Sequence, residues 1–196
     1  IGANAIDKVG DPYPQKTHEI CLESDAILFG AIGDPKYDNN PNAKIRPEQG
    51  LLSMRKKLGL YANIRPTFTF DSLIENSPLK KEIIRGTNLI FVRELTGGIY
   101  FGKKGRNNKN MSAYDTCNYS KDEIVRLAKI GFNLASKRSK KLCCVDKANV
   151  METSRLWRET IQSMEKDYPK IEVSYEFVDA VAMRLIQWPK NYDVLI

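Results

Sequence analysis

Hydrophobic positions along this chain alternate between two patterns. Short apolar runs at residues 26–32 and 142–145, and the segment 88–95 built on Leu89-Ile-Phe-Val92, predict buried strands. Between them, apolar residues recur every three or four positions and predict amphipathic helices over 47–58, 150–167 and 178–187. Another helix is predicted to open at the capping box Ser120-Lys-Asp-Glu123 and to run to about Lys137. Its apolar face comprises Ile124, Leu127, Ala128, Gly131, Leu134 and Ala135, and that of 150–167 comprises Trp157, Ile161 and Met164. Residues 61–70 read as extended, with Pro66 limiting their pairing. Gly97-Gly98 reads as a turn, with 99–102 as the hairpin partner of the preceding strand. Residues 33–47, rich in Asp, Asn and Pro, read as a loop, and strands are predicted at 171–175 and from Val194 onward. Strands alternating with helices predict an α/β fold with a mainly parallel sheet. A boundary is expected near Tyr61, and the sequence contains no internal repeat.

One helix departs from a simple core stripe. In Arg46-Pro-Glu-Gln-Gly-Leu-Leu-Ser-Met-Arg-Lys56, Pro47 suits the first turn. Glu48, Leu51, Leu52 and Arg55 then share one face. Two leucines with an acid and a base suit a ligand carrying both a branched hydrocarbon and a carboxylate. Alternatively the stem of Arg55 lies over a core edge.

Composition narrows the classes. An apolar content of 42% belongs to a folded chain, and no run is long enough to cross a membrane. The start at Ile1, without methionine or a secretory signal, and the end in an apparent buried strand lead us to expect a fragment. The net charge of +7 admits an anionic ligand, from a small dicarboxylate to nucleic acid. The basic clusters at 103–106 and 137–141 have little aromatic interleaving, which favours solvated loops over a nucleic-acid surface. Cys21, Cys117, Cys143 and Cys144 contain no C-x-x-C spacing, and His18 is the only histidine, so a Cys/His zinc site is not expected. Buried free thiols fit a reducing cytoplasm.

Arg55, Arg65 and Arg93 are candidates for two-pronged binding of carboxylates, or else three unrelated surface arginines. Arg93 ends an apolar strand beside Gly97-Gly98, where α/β proteins hold ligands. Tyr100, just past those glycines, is either a general acid or a half-buried strand tyrosine. Lys147 follows a strand and precedes a helix, placed either to take a proton or simply to face solvent. Asp179 is either an oxygen ligand for a hard divalent cation or a helix cap.

Taken in order, the segments Arg46-Pro-Glu-Gln-Gly-Leu-Leu, Leu60-Tyr-Ala-Asn-Ile-Arg-Pro66, Val92-Arg-Glu-Leu-Thr-Gly-Gly-Ile-Tyr-Phe-Gly102, Val145-Asp-Lys-Ala-Asn-Val150 and Val178-Asp-Ala-Val-Ala-Met183 resemble the 3-isopropylmalate dehydrogenases. These are the leucine-pathway branch of the β-decarboxylating dehydrogenases, relatives of isocitrate dehydrogenase. The resemblance covers essentially the whole chain, including Gly30-Ala-Ile-Gly-Asp-Pro-Lys36.

The resemblance implies a two-domain fold incomplete at both ends. Residues 1–60 would form part of a first, cofactor-side domain. Residues 61–196 would form a second domain bearing the dimer interface, without the C-terminal return to the first. It implies that Arg55, Arg65 and Arg93 hold the malate carboxylates, while Leu51 and Leu52, with Val150 of a partner subunit, enclose the isopropyl group. Glu48 would lie beside the nicotinamide end of NAD, and Asp34, Pro35 and Lys36 would also touch the cofactor. Asp34 stands where the family's loop has glycine. Lys147 would promote removal of the hydroxyl proton, and Tyr100 would protonate the enolate left by decarboxylation. Asp179 would bind Mg2+ or Mn2+, and a homodimer would share each site between subunits. The remaining metal ligands and most of the NAD pocket would lie beyond Ile196, leaving the fragment itself inactive. Leu51 and Leu52 would leave the third carboxylate of isocitrate desolvated, which favours an aliphatic group. D-malate or tartrate specificity, a basic nucleic-acid-binding module and a non-catalytic subunit of the family are the alternatives. Retention of Tyr100 and Lys147 argues against the last.

Overall fold

The computed structural model describes all residues except Pro41, Asn42, Asn108 and Asn110. The expected loop over 33–47 therefore falls partly outside the described residues. The chain divides into two compact units, Ile1–Tyr61 and Ala62–Ile196.

The first unit is helical. Its helices are α1 (Ala3–Val9), α2 (Gln15–Glu23), the single turn α3 (Pro35–Asp38) and α4 (Pro47–Lys57). Pro47 opens α4, and the Arg46 N–H donates to Gln49 Oε1 at 3.0 Å, satisfying one end group. The buried side of α4 is Pro47, Gly50 and Met54. Leu51, Leu52 and Arg55 are only half-buried and Glu48 is exposed, so the mixed face is not the core face. A Cβ at Gly50 would overlap the Pro12 carbonyl, so only glycine permits this close approach.

The strand expected at 26–32 is absent: those residues are irregular and Leu28 is wholly exposed. An apolar run becomes a strand only beside a hydrogen-bonding neighbour, and among the described residues none pairs with it.

The second unit is α/β. Its five-stranded sheet has the order β1-β2-β7-β5-β6, formed by β1 (Ala62–Phe68), β2 (Asn88–Glu94), β5 (Lys141–Asp146), β6 (Glu172–Phe177) and β7 (Val194–Leu195). The pairings β2–β7, β5–β7 and β5–β6 are parallel, and β1–β2 is antiparallel. Pro66 sits in β1, at the sheet edge, where proline is tolerated. A 3-10 helix (Asp71–Asn76) and the single turn α5 (Lys81–Ile84) link β1 to β2.

Helices α6 (Lys121–Ser136) and α7 (Glu152–Met164) pack against one another and against β5. Ser120 caps α6, accepting from the Glu123 N–H at 3.3 Å, while the Ser120 N–H donates to Glu123 Oε2 at 2.8 Å. Ile124, Leu127, Ala128, Phe132 and Ala135 of α6 are fully buried. Phe132 takes the core position expected for Leu134, which is half-buried. Helix α8 (Val178–Gln187) adds Val181 to a core cluster with Leu89, Cys143, Tyr192 and Leu195.

A separate hairpin joins β3 (Lys104–Arg106) to β4 (Ala113–Asp115). The hairpin partner expected at 99–102 is instead a 3-10 turn over Gly98–Tyr100. β1 occupies one edge of β2 along its whole length, and the turn closes on itself instead, with the Phe101 and Gly102 N–H groups both donating to Gly98 O, at 3.3 and 3.2 Å. Gly98 lies in the left-handed region (φ 71°), and its N–H donates to Asn118 O at 2.8 Å.

Candidate active site

The β1–β2 register brings the central side chains together. Asn63 lies opposite Arg93 and Arg65 opposite Phe91. Alternate residues share a sheet face, so Arg65 and Arg93 are diagonal neighbours on one face. Arg65 Nε donates to Asn63 Oδ1 at 2.5 Å. Arg93 Nη2 donates to the Tyr100 hydroxyl at 3.3 Å, and its guanidinium lies 5.6 Å from the centre of that ring.

All three line one cavity of about 690 Å3 wholly within the second unit. The rest of its wall is mostly apolar and includes Phe91, Ile99, Val178 and Leu185, with Tyr119 and Trp157 at one side. Two guanidinium groups and a phenol against an apolar wall suit an anion with a hydrocarbon part.

A buried carboxylate fixes this arrangement from the opposite sheet face. Glu94 accepts from the Thr96 N–H at 2.8 Å, the Gly97 N–H at 2.6 Å, the Thr96 hydroxyl at 2.7 Å and Arg126 Nη2 at 3.1 Å. It thereby holds the start of the turn that delivers Tyr100. Glu94, Arg126 and Tyr119 were not among the expected site residues. Tyr119 packs so closely on Gly97 and Gly98 that a Cβ at Gly98 would overlap its hydroxyl. The paired glycines were the available signal for a bulky neighbour. Burial is the main cause pushing the Tyr119 phenol up to about 12.

Lys147 and Asp179 meet just beyond the ends of β5 and β6. Lys147 Nζ donates to Asp179 Oδ1 at 2.5 Å, and the pair does not line the arginine cavity. The Lys147 ammonium holds the Asp179 carboxyl below its usual range. Val150 is exposed on the turn after Lys147, where its N–H donates to Lys147 O at 3.0 Å.

In the first unit, Asp34 Oδ1 caps α3 by accepting from the Lys36 N–H at 3.0 Å, and Pro35 opens that turn. Lys36 Nζ pairs with Asp7, to which the Tyr37 hydroxyl also donates, at 2.8 Å. A Cβ at Gly33 would stand 3.3 Å from Glu48 Oε1, so Glu48 lies directly against this loop. Glu48 thus lies beside the loop that carries Asp34, Pro35 and Lys36. Arg55, Leu51 and Leu52 are on α4 of the same unit.

A hard divalent cation needs several oxygen ligands, and the Asp179 carboxylate is one oxygen donor, already paired with Lys147. Among the described residues, no group of three His, Cys, Asp or Glu could hold an ion. The residues present do not by themselves make a metal site. No helix among the described residues is long and apolar enough to cross a membrane.

A mainly parallel α/β sheet with two arginines and a tyrosine around one cavity defines an α/β protein with an anion-binding site, and comparison with known proteins specifies the family. The chain belongs to the isocitrate/isopropylmalate dehydrogenase family, whose profile matches residues 1–196. It is 55% identical over 195 residues to the 3-isopropylmalate dehydrogenase of Bacteroides fragilis, covering 100% of this chain and 55% of that protein. It is 50% identical over 199 residues to the 3-isopropylmalate dehydrogenase of Aquifex aeolicus, covering 100% of this chain and 54% of that protein. Isocitrate dehydrogenase from Methylococcus capsulatus superposes with a TM-score of 0.85 at 27% identity, over 99% of this chain and 55% of that one. The chain therefore spans about half the length of the curated relatives it matches.

Proposed function

We propose that the complete protein oxidises and decarboxylates (2R,3S)-3-isopropylmalate to 4-methyl-2-oxopentanoate with reduction of NAD, a step of leucine biosynthesis. The observation carrying this reading is the shared sheet face of Arg65 and Arg93, with the Tyr100 hydroxyl bonded to Arg93 in one cavity.

In this mechanism Arg65 and Arg93, joined by Arg55, clamp the carboxylates and fix the orientation of the diacid. Leu51 and Leu52, with Val150 of a partner subunit, enclose the isopropyl group. The Lys147 amine takes the C2 hydroxyl proton as the hydride departs from C2. Carbon dioxide then leaves from the C3 carboxylate, and its bonding electrons form an enolate. Tyr100 returns a proton to C3. NAD, bordered by Asp34, Pro35, Lys36 and Glu48, supplies the hydride acceptor when bound. Asp179 would be one ligand of Mg2+ or Mn2+, with the other donors coming from outside this chain.

The reading includes a homodimer in which each subunit lends Lys147 and Asp179 to its neighbour. The exposed apolar residues of α8, Val178, Met183 and Ile186, are consistent with a covered face. The cysteines, all free, fit a reducing cytoplasm. The half-buried Leu51 and Leu52 favour an aliphatic substituent over a third carboxylate. The test is kcat/KM of the complete protein for 3-isopropylmalate, isocitrate and D-malate. The reading predicts a clear preference for the first, whereas a preference for D-malate would remove the leucine-pathway assignment.

A further inference from the structure

The carboxylate of Asp146 is sealed inside the second unit, its side chain 1% exposed. A buried charge persists only when fully partnered. Arg158 of α7 provides a two-pronged grip, with Nε 2.7 Å from Oδ2 and Nη2 2.9 Å from Oδ1. Oδ1 also accepts from the Ala148 N–H at 2.9 Å. Asp146 therefore binds the backbone on the far side of Lys147, so one carboxylate spans the residue between.

A second arginine of the same helix completes the frame. Arg155 Nε donates to Ala148 O at 3.0 Å. The Lys147 carbonyl accepts from the N–H groups of Val150 and Met151 at 3.0 and 2.9 Å. The side chains are coupled as well. The Arg158 guanidinium lies 5.3 Å from the centre of the Phe177 ring, and Lys147 Nζ lies 5.9 Å from the same ring. Arg158 thus reaches Lys147 by two routes, through the Asp146 carboxylate to its backbone and through Phe177 to its amine.

We infer that Arg158 is a positioning residue for Lys147, aiming its amine by way of Asp146 and Phe177. The inference rests on the proposed proton-accepting role of Lys147 and deepens it. The planar fork is what matters, since lysine carries the same charge but cannot hold both carboxylate oxygens in one plane.

The test is a double-mutant cycle in the complete enzyme, with Arg158→Lys made both in the wild type and in Lys147→Ala, and with thermal midpoints recorded throughout. In the wild-type background, kcat should fall roughly tenfold to a hundredfold, as expected for a misaimed catalytic group. KM should stay within about twofold, because the carboxylate clamp is untouched. In the Lys147→Ala background, Arg158→Lys should cost nothing further. An equal loss in both backgrounds overturns the inference and leaves Arg158 a structural tie. If Arg158→Lys does not fold, Asp146→Asn takes its place in the same cycle, because it keeps the size and the acceptor for Ala148 while removing the charge. Lys147→Ala alone separates the two possible failures. Unchanged turnover there removes the proposed role of Lys147 and this inference with it. Impaired turnover together with additive losses removes this inference alone.

Discussion

Lys147 Nζ lies 2.5 Å from Asp179 Oδ1, although the two residues are 32 positions apart in the chain. Parallel pairing explains the meeting. Asp146 at the end of β5 is in register with Phe177 at the end of β6, so the residues that follow emerge side by side. If each subunit lends this pair to its neighbour, two impaired variants should rescue one another. Full-length Arg93→Ala and Lys147→Ala subunits, each severely impaired but measurable alone, are expected to regain about a quarter of wild-type activity after mixed reassociation, as one intact site per mixed symmetric dimer requires. Activity assays of the mixture check this, and no recovery despite mixed dimers would argue for sites built within single subunits.

Tyr100→Phe removes the hydroxyl that accepts from Arg93 and leaves the ring. The expected result is a fall in kcat of about 10² to 10⁴, the usual worth of a general acid, with little change in KM. Steady-state formation of reduced NAD measures both. A raised KM at unchanged kcat would make Tyr100 a binding group.

Gly98→Ala meets two obstacles at once. Its φ of 71° disfavours a side chain, and the added Cβ would overlap the Tyr119 hydroxyl. The substitution should destabilise the complete protein by about 1–3 kcal/mol, the range of an overpacked site. Denaturant midpoints report that loss. The kcat of the folded variant should fall too, because this turn carries Tyr100.

Much of this fold was legible in the sequence, but unevenly. The Ser120/Glu123 capping box and the period of α8 were readable because local bonds and one buried face determine them. The run at 26–32 misled because apolarity alone cannot provide a ladder partner. Residues 99–102 misled because one edge of β2 belongs to β1, a fact of long-range pairing, and their own N–H groups bond back to Gly98 O. The β1–β2 pairing also hid the strongest site relationship. Arg65 and Arg93 could be selected one by one, but their common face follows only from Asn63 standing opposite Arg93. Arg126 and Arg158 act through tertiary contacts that have no spacing signature.

Stability should decline in alkali. Burial pushes the Cys143 thiol from its ordinary 9.0 up to about 11. Burial likewise pushes Tyr192 from 10.0 up to about 12, aided by Glu176. Such groups hold protons more tightly when folded, so their contribution is complete below the unfolded values and is lost as pH rises through the folded ones. Denaturant midpoints of the complete protein should therefore fall progressively between pH 9.0 and about 12. Cys143→Ala should flatten the lower part of that decline.

The most direct test is the affinity of the complete protein for 3-isopropylmalate, measured by titration calorimetry for the wild type, Arg65→Gln and Arg93→Gln. Each lost charged hydrogen-bonding group should weaken binding by roughly tenfold to a hundredfold, or about 1.5–3 kcal/mol. An unchanged dissociation constant in both variants would contradict the account.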